Sequence, residues 1–232
     1  LSNFIRPESE KTGGESTMNV SNKNALIMVD VQNDFCPGGN LAVQNGDEVV
    51  ALANQLQPHF HLVIATRDWH PQDHSSFASN NPGHHAGEVI ELNGISQVLW
   101  PDHCVQNSKG AELHPDLDTS RIDKIIFKGT DKEVDSYSAF FDNAHSHSTG
   151  LMDYLREHQV TDIYIMGLAT DYCVKYSCQD AARLNLKTHV IVDACRGIDL
   201  QPGDIQKALH ELQQLGVEIV SVKDILSSAQ KL

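Results

Sequence analysis

No apolar run in this chain of 232 residues approaches the length of about 20 that a membrane-spanning helix requires, which argues against a membrane protein. Nor is there a block of five basic side chains. Lys and Arg number 17 against 31 Asp and Glu, for a formal net charge of -14. Such a surface repels polyphosphate, so nucleic acid and anionic lipid are poor partners for it. The five cysteines, Cys36, Cys104, Cys173, Cys178 and Cys195, are odd in number and contain no Cys-x-x-Cys pair. With no apolar leader core at the N-terminus either, the expected compartment is the reducing cytoplasm. Internal repeats and low-complexity tracts are also missing.

What is present is an ordinary globular composition, 40% hydrophobic and 21% charged. The length suits one domain with a substantial core. Residues 1–17 are polar and without helical or strand periodicity, and are read as an N-terminal tail or a remnant of expression; the single domain is expected over 18–232. Short β-branched runs recur at Ala25 to Val31, His61 to Thr66, Lys124 to Phe127, Asp162 to Gly167, Thr188 to Val192 and Val217 to Val222. Segments of helical periodicity fall between them at Asp47 to Pro58, Thr149 to His158, Asp171 to Asn185 and Asp204 to Leu215, the last closed by Gly216. That alternation predicts an α/β fold with a parallel sheet. The stretch from Asp68 to about Asp123 breaks the rhythm, and a loop of that length in a compact domain usually carries function.

Three reactive side chains fall at carboxyl ends of predicted strands, where parallel sheets place their chemistry. Asp30 follows ALIMV, Lys128 follows KIIF, and Cys173 comes shortly after the run ending at Gly167. Taken singly, each has an ordinary explanation: a turn former, a solvated amine, a core thiol. Together they make a candidate nucleophilic centre. In GLATDYCV, Thr170 or Asp171 is expected to cap a helix whose first turn holds Cys173, with free N–H groups there stabilising a thiolate and an oxyanion.

A second constellation is Asp68-Trp69-His70-Pro71, then His74, and further on Trp100-Pro101-Asp102-His103-Cys104. In an extended segment Asp68 and His70 share a face. A second imidazole brought in by the loop, for which His103 is the candidate, completes a carboxylate and two histidines. That set suits one divalent transition metal (Zn, Fe or Mn) and leaves coordination positions open for water or substrate. His84 and His85 are read as solvated loop residues.

The motifs MVDVQNDF, TRDWHPQDHSSF, WPDHCVQ, FKGT, DSYSAF and GLATDYCV, in this order from about Ala25 to Val222, resemble the isochorismatase-like cysteine hydrolases, in particular their nicotinamidase (pyrazinamidase) branch. The resemblance implies a three-layer α/β/α sandwich with a six-stranded, mainly parallel sheet. It implies an enzyme that converts nicotinamide to nicotinate and ammonia, and pyrazinamide to pyrazinoate, as a step of NAD salvage. By the same resemblance Asp30 takes the thiol proton, Lys128 stabilises the charged site, and Cys173 attacks the carbonyl. A cis peptide before Ala169 would aim the N–H groups of Ala169 and Cys173 at the oxyanion. A metal held by Asp68, His70 and His103 would bind the pyridine nitrogen, with Phe35 and Trp100 sandwiching the ring and Tyr137 nearby. His74 is read as standing behind the ligands. The expected partner is the small-molecule substrate, with homo-oligomer formation left open. The alternatives are an amidase of the superfamily acting on a ureido or carbamoyl substrate, and a non-catalytic metal-binding or redox-sensing protein.

Overall fold

The computed structural model describes residues 23–229, so the tail read over 1–17 lies outside the described residues. The six β-branched runs all become strands of one sheet: β1 (Asn24–Val29), β2 (Leu62–Asp68), β5 (Lys124–Lys128), β6 (Asp162–Leu168), β7 (Lys187–Arg196) and β8 (Glu218–Val220). A separate antiparallel hairpin, β3 (Val89–Leu92) and β4 (Ile95–Val98), interrupts the long segment that the sequence reading left without strands. The helices are α1 (Glu48–Leu56), α2 (Leu151–Glu157), α3 (Lys175–Arg183), α4 (Asp204–Gln214) and α5 (Val222–Ala229).

The sheet order is β5-β2-β1-β6-β7-β8, and every pairing in it is parallel. All six residues of β1 are buried, as expected of a central strand covered on both faces. From β1 the chain passes through α1 towards one edge of the sheet, and from β6 through α3 and α4 towards the other. Right-handed crossovers in opposite directions put those helices on opposite faces, which produces the three layers. Helices α1 and α5 pack together and against β7, while α3 and α4 pack together over β7 and β8. No helix among the described residues is long and apolar enough to cross a membrane.

This topology locates the crevice. Strands β1 and β6 are neighbours from which the chain departs in opposite directions, and ligands of open α/β sheets bind outside the carboxyl ends at such a switch point. Close approach there is made possible by Gly167, at φ +116°, where a Cβ would stand 2.2 Å from the Val29 carbonyl oxygen.

Candidate active site

Asp30, the residue after β1, takes a left-handed conformation at φ +49° and is fully buried. Its N–H donates to Thr66 Oγ1 (3.1 Å), and the Thr66 hydroxyl donates back to Asp30 Oδ1 (2.6 Å), so the side chain of β2 holds the carboxylate in place. Lys128, at the end of edge strand β5, reaches under β2 to the same point. Its Nζ stands 2.7 Å from Asp30 Oδ2, donates to Asp68 Oδ1 and to the Ser136 carbonyl (3.0 Å), and lies 3.3 Å from Cys173 Sγ. Ligand atoms of Asp30, Asp68 and Cys173 all fall within 4.8 Å of one another. Three residues from distant parts of the chain thus converge, as the strand-end argument requires.

The electrostatics follow from burial. Removal from water pushes the Asp30 carboxyl up to about 6, despite the opposing pull of the Lys128 ammonium. Burial also works against ionised Asp68, but Lys128 and His70 overcome it and hold that group well below the usual carboxylate range. For Lys128, burial opposes the charge, and the two flanking carboxylates more than restore it, so the amine stays protonated. Burial pushes the Cys173 thiol well up in spite of Lys128. Burial thus opposes the thiolate that the sequence led us to expect at a helix N-terminus, and Asp30 and Lys128 are the groups beside it.

The local backbone differs from that reading too. Thr170–Val174 form a single π-helical turn ahead of α3, with Ala169 at its cap position and no side-chain cap bond. Such turns are frequent at functional sites. Asp171 instead turns outward from the turn and accepts the N–H groups of Ile198 (2.9 Å) and Asp199 (2.7 Å), tying the loop after β7 to the segment that carries Cys173. The Leu168–Ala169 peptide bond is cis.

The metal-type cluster adjoins the trio. Asp68 ends β2, and the Gln32 side chain clamps its backbone, donating to Asp68 O (2.9 Å) and accepting Asp68 N–H (2.8 Å). His70 Nδ1 bonds to the Gly129 carbonyl (2.9 Å) and His103 Nδ1 to the Pro101 carbonyl (2.8 Å). A carbonyl only accepts, so both Nδ1 atoms carry the proton, and in the neutral form of each ring the lone pair is on Nε2. Those lone pairs face Asp68 Oδ2 at 3.6 and 3.8 Å, and the buried Nε2 of His70 has no hydrogen-bond partner. With both rings neutral, three acceptors face one another in a buried place, and these three residues fit a divalent ion. His74 lies behind, its ring 4.5 Å from that of His70 and its Nδ1 bonded to Ser76 Oγ (2.8 Å). His84 and His85 are exposed and pair with Glu88.

Between trio and cluster opens a small cavity. Phe35, Trp100 and Tyr137 line it, together with Asp68, His103, Ala169 and Cys173. The sequence reading missed Leu41, Asp135, Tyr172 and Ile198, which complete the walls. Tyr172 adjoins the proposed nucleophile and Asp135 opens DSYSAF, so both were open to notice; Leu41 and Ile198 sit in loops without a comparable signal.

The Isochorismatase domain model matches residues 24–224. The chain belongs to the isochorismatase family. Within this family it is 48% identical over 204 residues to the nicotinamidase of Escherichia coli, a match covering 86% of this chain and 95% of the relative. Among solved structures, the Acinetobacter baumannii nicotinamidase/pyrazinamidase superposes with a TM-score of 0.86 at 46% identity, covering 88% of this chain and 99% of that one. The Pyrococcus horikoshii pyrazinamidase, solved in complex with zinc, superposes with a TM-score of 0.70 at 35% identity over 86% of this chain and 99% of its own.

Proposed function

We propose that this isochorismatase-family chain is a nicotinamidase, hydrolysing nicotinamide to nicotinate and ammonia, and pyrazinamide to pyrazinoate, in NAD salvage. The observation that carries the reading is the Cys173 thiol 3.3 Å from the Lys128 ammonium, in one buried cluster with Asp30 and beside a ligand set of Asp68, His70 and His103. A dedicated amidase of the ureido or carbamoyl type has no need of that second set.

The residues divide the work as follows. Asp30 removes the thiol proton as sulfur attacks the amide carbon, and the C=O electron pair moves to oxygen. Ala169 and Cys173 supply N–H groups for that oxyanion. The tetrahedral centre collapses as the C–N bond breaks, Asp30 returns the proton to nitrogen, and ammonia leaves a thioester on Cys173. Water, deprotonated by Asp30, then attacks the thioester carbon; as the C–S bond breaks, Asp30 returns that proton to sulfur to regenerate the thiol, and the acid formed loses its proton to solvent and leaves as the carboxylate. Lys128 keeps Asp30 and Asp68 together in one buried space throughout. Phe35, Trp100 and Tyr137 hold the ring by its faces and edge. Asp68, His70 and His103 would hold a divalent ion of the Zn, Fe or Mn type, which would supply Lewis-acid character at the ring end of the cavity. The five free, buried cysteines suit a reducing compartment, and the cytoplasm is the proposed one. Residues 18–232 are proposed to form a single hydrolase domain.

The test is ammonia release from nicotinamide. We expect turnover that vanishes in Cys173→Ala and drops when a chelator strips the protein. Full turnover by metal-free protein would replace this reading with the ureido or carbamoyl amidase.

A further inference from the structure

The two oxygens of the Asp30 carboxylate stand in different surroundings. Oδ1 accepts the Thr66 hydroxyl at 2.6 Å, a length typical of a hydroxyl bound to an ionised acceptor. Oδ2 is buried and forms no hydrogen bond; its neighbour is Lys128 Nζ, in an ion pair at 2.7 Å. The same Nζ lies 3.3 Å from Cys173 Sγ. An oxygen of Asp30 also falls within 4.8 Å of that sulfur. The ammonium that touches Oδ2 is thus the one that touches the thiol.

Thr66 keeps the two oxygens from exchanging places. Strand β1 ends at Val29, and the left-handed turn of Asp30, at φ +49°, sends its N–H to Thr66 Oγ1 at 3.1 Å. A hydroxyl has one hydrogen, and with Oγ1 already accepting from the Asp30 main chain, that hydrogen points to Oδ1. Two bonds to one hydroxyl close a ring through the main chain and carboxylate of Asp30, so the carboxylate cannot rotate without breaking one of them. Both residues are fully buried, and bulk water does not stand in for a lost bond. We infer that Thr66 is a positioning residue: by occupying Oδ1 it leaves Oδ2 as the oxygen that takes the Cys173 proton. In that step the S–H bond breaks, an O–H bond forms at Oδ2, and the Thr66 hydrogen stays on Oγ1. The inference rests on the nicotinamidase reading and deepens it.

The experiment separates hydroxyl from methyl. Thr66→Val keeps the shape and removes the hydroxyl, whereas Thr66→Ser keeps the hydroxyl and removes the methyl. Ammonia release from nicotinamide is measured for both and for the unsubstituted chain, with equal ion content verified by elemental analysis. Rates are read on the alkaline plateau of each pH profile, where the base is ionised in every variant and a change in its basicity does not enter. Thr66→Val should lower kcat roughly 100-fold, the scale of a reacting group misplaced by about 1 Å. KM should not change, because the ring contacts are untouched. Thr66→Ser should hold kcat near that of the unsubstituted chain. A valine variant with undiminished kcat overturns the inference. So does a serine variant as slow as the valine one, since packing of the methyl would then be what counts. If the valine variant does not fold or does not load, serine decides alone: kcat near the unsubstituted value is expected, and a fall of the size named for valine overturns the inference. No ammonia from the unsubstituted chain overturns the nicotinamidase reading and this inference with it, whereas an active chain with an equally active valine variant overturns this inference alone.

Discussion

Lys128 is the side chain on which most of the site leans. Its ammonium is wholly buried and contacts two carboxylates, a carbonyl and a sulfur. Lys128→Met would remove the charge and leave Asp30 and Asp68 confronting each other in the interior, at a cost of about 3–5 kcal/mol. Urea unfolding should register that loss along with the loss of amidase activity; unchanged stability would mean that the carboxylates are neutral or relocated. Arginine should not restore function, because a planar fork does not fit a space shaped around a compact ammonium. The pH profile follows from Asp30. A base whose carboxyl is raised to about 6 is protonated below that pH, so kcat/KM should fall as pH drops through about 6, well above the ordinary aspartate value of about 3.9. A flat profile down to pH 5 would remove Asp30 from the role of base.

Elements set these side chains in place, and β5 does so through the turn that follows it. Gly129 has φ +64°, and a Cβ there would stand 2.3 Å from His70 Cε1 and 2.6 Å from Nδ1. Gly129→Ala should therefore push the imidazole off its carbonyl partner and weaken metal affinity about 10- to 100-fold, as loss of an orienting contact does. Competition with a chromophoric chelator measures this directly, and an unaltered affinity would show that His70 is not a ligand. The sequence made the main elements legible for a plain physical reason. β1, β2 and β6 are covered on both faces, so they appear as unbroken apolar runs, and the reactive residues at their ends stand out by contrast. The β3–β4 hairpin was missed because its strands are only four residues each and mostly half-buried, too short for an alternation to stand out. The Asn93-Gly94 pair that turns it, with φ +51° and +79°, was the available signal. Neither the Gln32 clamp nor the π-helical turn could be read, because each depends on which distant backbone comes to lie alongside.

At the scale of the molecule, an ion seated between β2, the loop after it and the loop carrying His103 would link parts of the chain far apart in sequence. Binding to the folded form alone stabilises it by mass action. Chelator treatment should accordingly lower Tm as well as activity, with both returning on addition of zinc, ferrous or manganous ion. A Tm indifferent to loading would argue that the ion only rests at the surface of a preformed site.

Because Asp30, Lys128 and Cys173 arrive on a central strand, an edge strand and the turn beyond a third, the centre exists only while β5, β2, β1 and β6 remain side by side. Catalysis is then an all-or-none reporter of that stack. Partial unfolding that detaches the β5 edge should abolish turnover outright while most of the helical signal survives.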